Sequence, residues 1–314
     1  MGYTAKAQVY TAAINETTIG VGAKALTLGG EKTQALCSFD EAWKNAPAVG
    51  VEVSDVAFDM NEMPELAAFY EGANTFAERV AKASAMEGAS FICLHFEGAD
   101  PGAENKSAEE CAALAKEAAA VTELPIVVTG CKNAEKDAAI FGAVADALPD
   151  RNVLFLSARE ENYKTVGASC ALAYGHKVGA ESAVDINLAK QLNVVTTQMG
   201  VNGASIVMNV GSAAAGYGFE YVSSTMDRVK AAALEQNDAM LQMPIMTPVF
   251  AETWTVKEAI MSEADMPEWG SKEERGIQME IVTAAACLAS GSDAVILRHP
   301  ASVKTIAAMI AALA

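Results

Sequence analysis

The stretch Ile92 to Glu104, ICLHFEGADPGAE, begins as an apolar run and turns within a few residues into His95, Glu97, Gly98, Asp100 and Pro101. A buried strand whose C-terminal end opens into a loop produces this change, because the apolar run ends where turn-forming residues begin. The pattern recurs along the chain. Strand-length apolar runs fall at Ala48–Ser54, Ser90–Phe96, Pro125–Thr129, Asn152–Ser157, Lys177–Ser182, Ala204–Met208, Pro244–Val249 and Asp293–Leu297. Between and after them lie Ala-rich segments of helical period, at Asn74–Glu87, Ser107–Val121, Ala134–Leu148, Asn162–Tyr174, Val184–Met199, Tyr221–Gln236, Lys272–Ser290 and Ala301–Leu313. Eight strand–helix units in a row predict an α/β chain folded as a (β/α)8 TIM barrel. An open doubly wound sheet would want a Gly-rich turn after its first strand, and Ser54 begins SDVAFDMNEMPE instead.

Residues 1–47 precede this repeat. Thr18–Ala23 and Ala25–Leu28 alternate loosely, with Gly29-Gly30 marking a turn, so an N-terminal extension with a β-hairpin is expected before a barrel over residues 48–314. The length of 314 residues is ordinary for one barrel domain. With 40 acidic against 22 basic residues and a net charge of −18, neither nucleic acid nor an anionic membrane is an expected partner. No signal-peptide pattern opens the chain, and no run approaches the roughly 18 apolar residues of a membrane span, so a soluble, cytoplasmic protein is expected. The six cysteines (Cys37, Cys93, Cys111, Cys131, Cys170, Cys287) contain no C-x-x-C pair, which argues against a zinc ribbon or a self-contained iron–sulfur cluster.

In a barrel of this kind the loops after the strands carry function. They supply Ser54 and Asp55, the HFEGADP knot, Thr129 to Cys131, Arg159 to Asn162, Glu181 with Asp185 and Asn187, Asn209 with Gly211, Thr247 with Glu252, and Arg298-His299. His95 and Glu97, two apart on a strand, would share a side as metal ligands or an acid/base pair, or belong to a hydrogen-bond network at the rim. A metal-dependent lyase built on them is one possible reading. His176 precedes a strand and falls at the opposite face; His299, before Pro300, is open to a site or a packing role. Lys177 opens its strand at the wrong end for a Schiff base, and GASCA at Gly167–Ala171 matches a nucleophile elbow only in part and falls inside a helix. The Gly-rich segment Val210–Tyr221 lacks the Lys that would favour a nucleotide phosphate. Trp254 and Trp269 border the connection after the seventh strand, where they could cover a ligand or pack the loop.

Seven stretches, in order, carry a resemblance: GADP (98–101), GCKNAEKD (130–137), ENYKT (161–165), DINLAKQLN (185–193), GYGFEY (216–221), ERGIQMEIVTA (274–284) and LRHP (297–300). With TIGVGAKALTLGGEKT near the N-terminus, the chain resembles the small, or delta, subunit of the corrinoid iron–sulfur protein of the acetyl-CoA decarbonylase/synthase (CO dehydrogenase/acetyl-CoA synthase) complex. The resemblance implies a barrel paired with a large subunit that carries the iron–sulfur cluster and a corrinoid (cobamide) at the shared interface. It implies a noncatalytic role: capping the corrinoid while a methyl group passes from methyltetrahydrofolate, through a methyltransferase, to acetyl-CoA synthase in the reductive acetyl-CoA (Wood–Ljungdahl) pathway. No D-x-H-x-x-G stretch surrounds any histidine, so no usual cobalt ligand is offered. A corrin is fringed with amides, which strand-end Asp, Asn and backbone groups could orient; the residues expected to do so are Asp100, Asn162, Asp185, Asn187, Asn209 and Gly211. The competing reading is an autonomous pterin-binding TIM-barrel methyltransferase, acting without a partner.

Overall fold

A computed structural model describes residues 10–34 and 43–313. Two short strands, β1 (Thr17–Ile19) and β2 (Leu26–Leu28), pair antiparallel, with Thr17 opposite Leu28. Their turn is the 3-10 segment Gly22–Lys24. It is not the Gly29-Gly30 pair, which follows β2; Gly29 instead lies so close to the backbone of Asn15 that a Cβ would meet its carbonyl oxygen at 2.2 Å. Cys37 lies outside the described residues; the other five cysteines are free and buried.

The barrel strands are β3 (Ala48–Ser54), β4 (Phe91–His95), β5 (Ile126–Thr129), β6 (Leu154–Ala158), β7 (Lys177–Glu181), β8 (Ile206–Asn209), β9 (Met246–Thr247) and β10 (Ala294–Leu297). Consecutive strands from β3 to β8 pair in parallel, and β10 sits between β9 and β3. The ring closes through one parallel bridge, Met208 to Ile245. The eight expected strands are present, and β9 is the shortest because Pro244 and Pro248 flank it and lack N–H groups for a ladder.

Two apolar layers alternate along each strand. Phe91, Cys93, Val127, Leu154, Leu156, Val207 and Ile296 face the barrel interior with Ile19 and Leu28 of the hairpin. Ile92, Leu94, Ile126, Val128, Phe155 and Val295 face outward onto the helices. The hairpin closes the N-terminal end: Gly20 N–H donates to Asn152 O, and Thr17 Oγ1 to Ile206 O, both beside strand starts. Lys230 bolts the same end, pairing with Glu31 and with Asp293 at 3.0 Å.

The helices are α1 (Pro64–Tyr70), α2 (Phe76–Ser84), α3 (Ala108–Ala120), α4 (Ala134–Ala147), α5 (Tyr163–Val166), α6 (Ile186–Gln198), α7 (Phe219–Leu234), α8 (Phe250–Thr253), α9 (Lys257–Ile260), α10 (Lys272–Ala289) and α11 (Pro300–Leu313). Capping boxes at Thr75/Glu78 and Ser107/Glu110 start α2 and α3. The segment predicted as one helix from Asn162 to Tyr174 is α5 running into a π-helical turn, Gly167–Leu172, which contains GASCA. The short helices α1, α8 and α9 were not expected, because too few turns are present for a 3.6-residue period to register. Among the described residues no helix is long and apolar enough to cross a membrane.

Candidate functional site at the barrel mouth

Side chains two apart on a strand share a face, so inward parity continues past the last apolar residue. Ala48, Gly50 and Glu52 share one side of β3; Phe91, Cys93 and His95 one side of β4; Val207 and Asn209 one side of β8. Arg298 follows Ala294 and Ile296 in the same phase. The C-terminal mouth is thereby lined with polar groups on an apolar floor.

Glu52 is the centre of this ring. Its carboxylate is fully buried, forked by Arg298 (Nε at 2.9 Å, Nη2 at 3.2 Å), and bonded to His95 Nδ1 at 2.8 Å. Burial alone would raise its pKa; the Arg298 charge and the His95 hydrogen bond outweigh burial and hold it at about 2. The Arg298 guanidinium also lies 4.9 Å over the Phe58 ring. Since β4 ends at His95, Glu97 belongs to a 3-10 turn and accepts from Ser54 Oγ. Of the readings their spacing left open, the structure forms the rim hydrogen-bond network: His95 bonds Glu52, Glu97 bonds Ser54, and the two do not pair because the strand's two-residue period stops between them.

Three other networks fix the rim. Asp55 accepts from Gly98 N–H at 2.9 Å and pairs with Lys106 at 2.9 Å, and a Cβ on Gly98 would fall 2.6 Å from Lys106 Nζ and 2.8 Å from Asp55 Oδ2, so a side chain there would push on this ion pair. Arg159 pairs with Glu181 at 3.2 Å and donates to Lys132 O. Glu280, buried and raised in pKa by that burial, accepts from Trp254 Nε1 at 2.9 Å and from the backbone N–H groups of Arg298 and His299. His299 is fully buried against Trp254 and bonds Glu273 at 3.1 Å, which gives it the packing role. His176 is buried at the other end of the barrel, with Nδ1 accepting from Val153 N–H and Nε2 bonded to Ala145 O.

Two adjacent cavities that share His95, Lys132, Phe250 and Ala251 in their linings lie here. The inner one, about 140 Å³, is lined by His95, Thr129, Ser157, Glu181, Asn209 and Phe250 among others. The outer groove, about 730 Å³, runs along Val56, Asp100, Ala103, Trp254, Thr255 and Arg298. Of the residues expected to face a ligand, Asn209 and Gly211 line the inner cavity and Asp100 the outer groove. Asn162 is turned inward, its amide bonded to Arg159 N–H and Ala134 O. Asp185 caps α6 by accepting from Asn187 and Leu188 N–H, and both Asp185 and Asn187 are exposed, lining neither cavity. Glu52, Ser157 and Lys132 are mouth residues that the sequence reading did not single out; strand parity marks Glu52. Among the described residues no three His, Cys, Asp or Glu side chains converge as metal ligands.

The class so defined is a (β/α)8 barrel with its polar groups gathered at the C-terminal mouth. Solved structures agree on that fold: dihydropteroate synthase of Yersinia pestis in a sulfonamide drug complex superposes with a TM-score of 0.57 at 12% identity, covering 85% of this chain and 93% of that one. The Stenotrophomonas maltophilia enzyme, with imidazole in its active site, gives 0.55 at 13% identity over 89% and 97%. Such identities speak to the fold alone. The family model described as CO dehydrogenase/acetyl-CoA synthase delta subunit matches residues 16–309, and the chain belongs to that family. Relatives named acetyl-CoA decarbonylase/synthase complex subunit delta include those of Methanocaldococcus jannaschii (30% identical over 90% of this chain), Archaeoglobus fulgidus (30% over 90%) and Methanothermobacter thermautotrophicus (31% over 95%). The aligned parts cover 68%, 62% and 75% of those relatives.

Proposed function

We propose that the chain is a noncatalytic small subunit that caps a corrinoid held by a larger, iron–sulfur-carrying partner. The cofactor, when bound, supplies a cobalt centre that accepts and gives up a methyl group; the pathway's methyltransferase and acetyl-CoA synthase are the proposed donor and acceptor partners. One observation carries this reading. The charged groups at the strand ends are spent on each other (Glu52 with Arg298 and His95, Asp55 with Lys106, Arg159 with Glu181), so the mouth is a braced surface and not a set of reactive groups awaiting substrate.

The chemistry of the outer groove suits a corrin's amide fringe. Asp100 and Thr255 Oγ1, whose own hydrogen goes to Glu252 O, can accept amide N–H groups, Lys132 can donate to amide carbonyls, and Trp254, Ala103 and Val56 give apolar area that excludes water. Asp100, Asn209 and Gly211 are the stronger of the proposed contact residues. Asn162, Asp185 and Asn187 would act through loop shape, since Asn162 and Asp185 already bond the backbone. The boundary of the unit is proposed at residue 47, with the hairpin serving as the barrel's floor.

The test is co-purification with the larger subunit, followed by native mass spectrometry and visible absorption. A one-to-one complex is expected whose corrinoid is lost several-fold faster on gel filtration in Asp100→Ala and Trp254→Ala. Retention equal to wild type in both, with Asn209→Ala added, rejects this face. A colourless free chain that binds methyltetrahydrofolate alone would favour the autonomous methyltransferase.

A further inference from the structure

The inner cavity has a polarity of its own. Because Glu52 is ionised, it can only accept, so His95 Nδ1 must carry the hydrogen in their 2.8 Å bond. With the Nδ1 hydrogen committed to Glu52, the other ring nitrogen, Nε2, on the ring edge away from Glu52, is the one left to meet a ligand N–H, in a residue that lines both cavities. Across the mouth, Asn209 Nδ2 donates to Ser157 Oγ at 2.9 Å, and this leaves the Ser157 hydroxyl hydrogen to be donated elsewhere. Ser212 Oγ, also in the lining, is buried without a hydrogen-bond partner. Arg159 and Glu181 neutralise each other at 3.2 Å, so the pair favours no net charge on an occupant. Phe250, its ring 5.2 Å from that of His95, gives an apolar wall with Leu156.

We propose that the barrel mouth is a binding site for a neutral ring amide, the –NH–C(=O)– edge shared by pyrimidines, purines and pterins. The ligand N–H donates to His95 Nε2 and its carbonyl accepts from Ser157 Oγ. A volume of about 140 Å³ is close to the roughly 150 Å³ that accommodates a single benzene-sized ring. One six-membered ring enters, and a second ring or a tail runs into the outer groove, which shares His95, Lys132, Phe250 and Ala251 with the cavity. This site shares Asn209, Gly211 and the outer groove with the proposed corrin contacts, so a ring amide and the corrinoid would compete for it.

Uracil and pterin, titrated calorimetrically into the full chain, test the proposal. Chemical modification supplies an independent readout on the wild-type protein. Only three histidines are present, and His176 and His299 are fully buried with both ring nitrogens bonded. Ethoxycarbonylation by diethyl pyrocarbonate in the native state therefore reports on His95. Saturable binding of either probe that slows His95 modification several-fold is the expected result; binding of both identifies the single ring as sufficient, and of pterin alone a bicyclic ligand. Ser157→Ala should weaken binding about tenfold, or about 1.4 kcal/mol. Failure of both probes to bind at millimolar concentration, or binding that leaves the modification rate unchanged, overturns the proposal.

Discussion

Replacing Arg298 with Leu removes the cation that keeps a fully buried carboxylate ionised. Glu52 falls from an ordinary 4.5 to about 2 in the folded chain; at about 1.4 kcal/mol per pH unit that difference contributes about 3 kcal/mol at neutral pH. The figure agrees with the roughly 3–5 kcal/mol lost when one partner of a buried ion pair is deleted. The sign then changes with pH. In the wild type the Glu52 contribution is complete above about pH 4.5 and is lost as pH falls toward 2. In Arg298→Leu, burial dominates and raises the Glu52 pKa, so the variant loses stability as pH climbs above 4.5. The gap between the two proteins should therefore widen between pH 4.5 and 7.5 in urea unfolding followed by circular dichroism. Glu52→Gln/Arg298→Leu should recover most of the loss with no such pH dependence. A gap that is constant with pH, or below the roughly 1 kcal/mol of an exposed pair, would refute the reasoning.

At the other end of the barrel, Lys230→Met leaves Glu31 and Asp293 together without their cation; a loss of about 3–5 kcal/mol is expected, with earlier proteolytic cleavage near the hairpin. In the wild type, burial and the neighbouring Glu31 raise the Asp293 pKa, so the hairpin should become more protease-sensitive as pH rises above neutral, and equal cleavage rates at pH 6 and pH 9 would contradict this. Gly276→Ala places a Cβ 2.2 Å from the Trp254 ring, and overpacking of this kind costs about 1–3 kcal/mol; unchanged tryptophan fluorescence and stability would show that the indole is not held there. Glu280 is raised by burial, so its protonated form is favoured by folding and its contribution fades as pH rises. Glu280→Gln should compare better with wild type at pH 9 than at pH 5 in thermal melts, and the reverse order would exclude a raised pKa.

Much of the barrel is readable from the chain because each unit is local. An apolar run of strand length, a turn and a capped helix are set by residues within a few positions of one another, as at Ser107 and Glu110. The mouth was legible only in part. Nearness to a strand end picked Asp100, Asn209 and Gly211, which lie at the mouth, and also Asp185, which caps α6. Counting inward parity from Phe91 and Cys93 marks His95, and from Ala48 and Gly50 marks Glu52. The choice between a His95–Glu97 pair and a rim hydrogen-bond network, open in the sequence, is decided by the strand's stopping at His95, a boundary that no property of Phe96 announces.

The sequence by itself determined the α/β alternation, the number of units, the acidic surface and the motifs that the delta-subunit family shares. Only the tertiary structure decided which polar groups meet. Glu52 reaches His95 across 43 positions and Arg298 across 246, and the second contact exists because β10 returns beside β3 when the ring closes. That closure depends on hydrogen bonds and packing summed around all eight strands, so no local stretch of the chain encodes it.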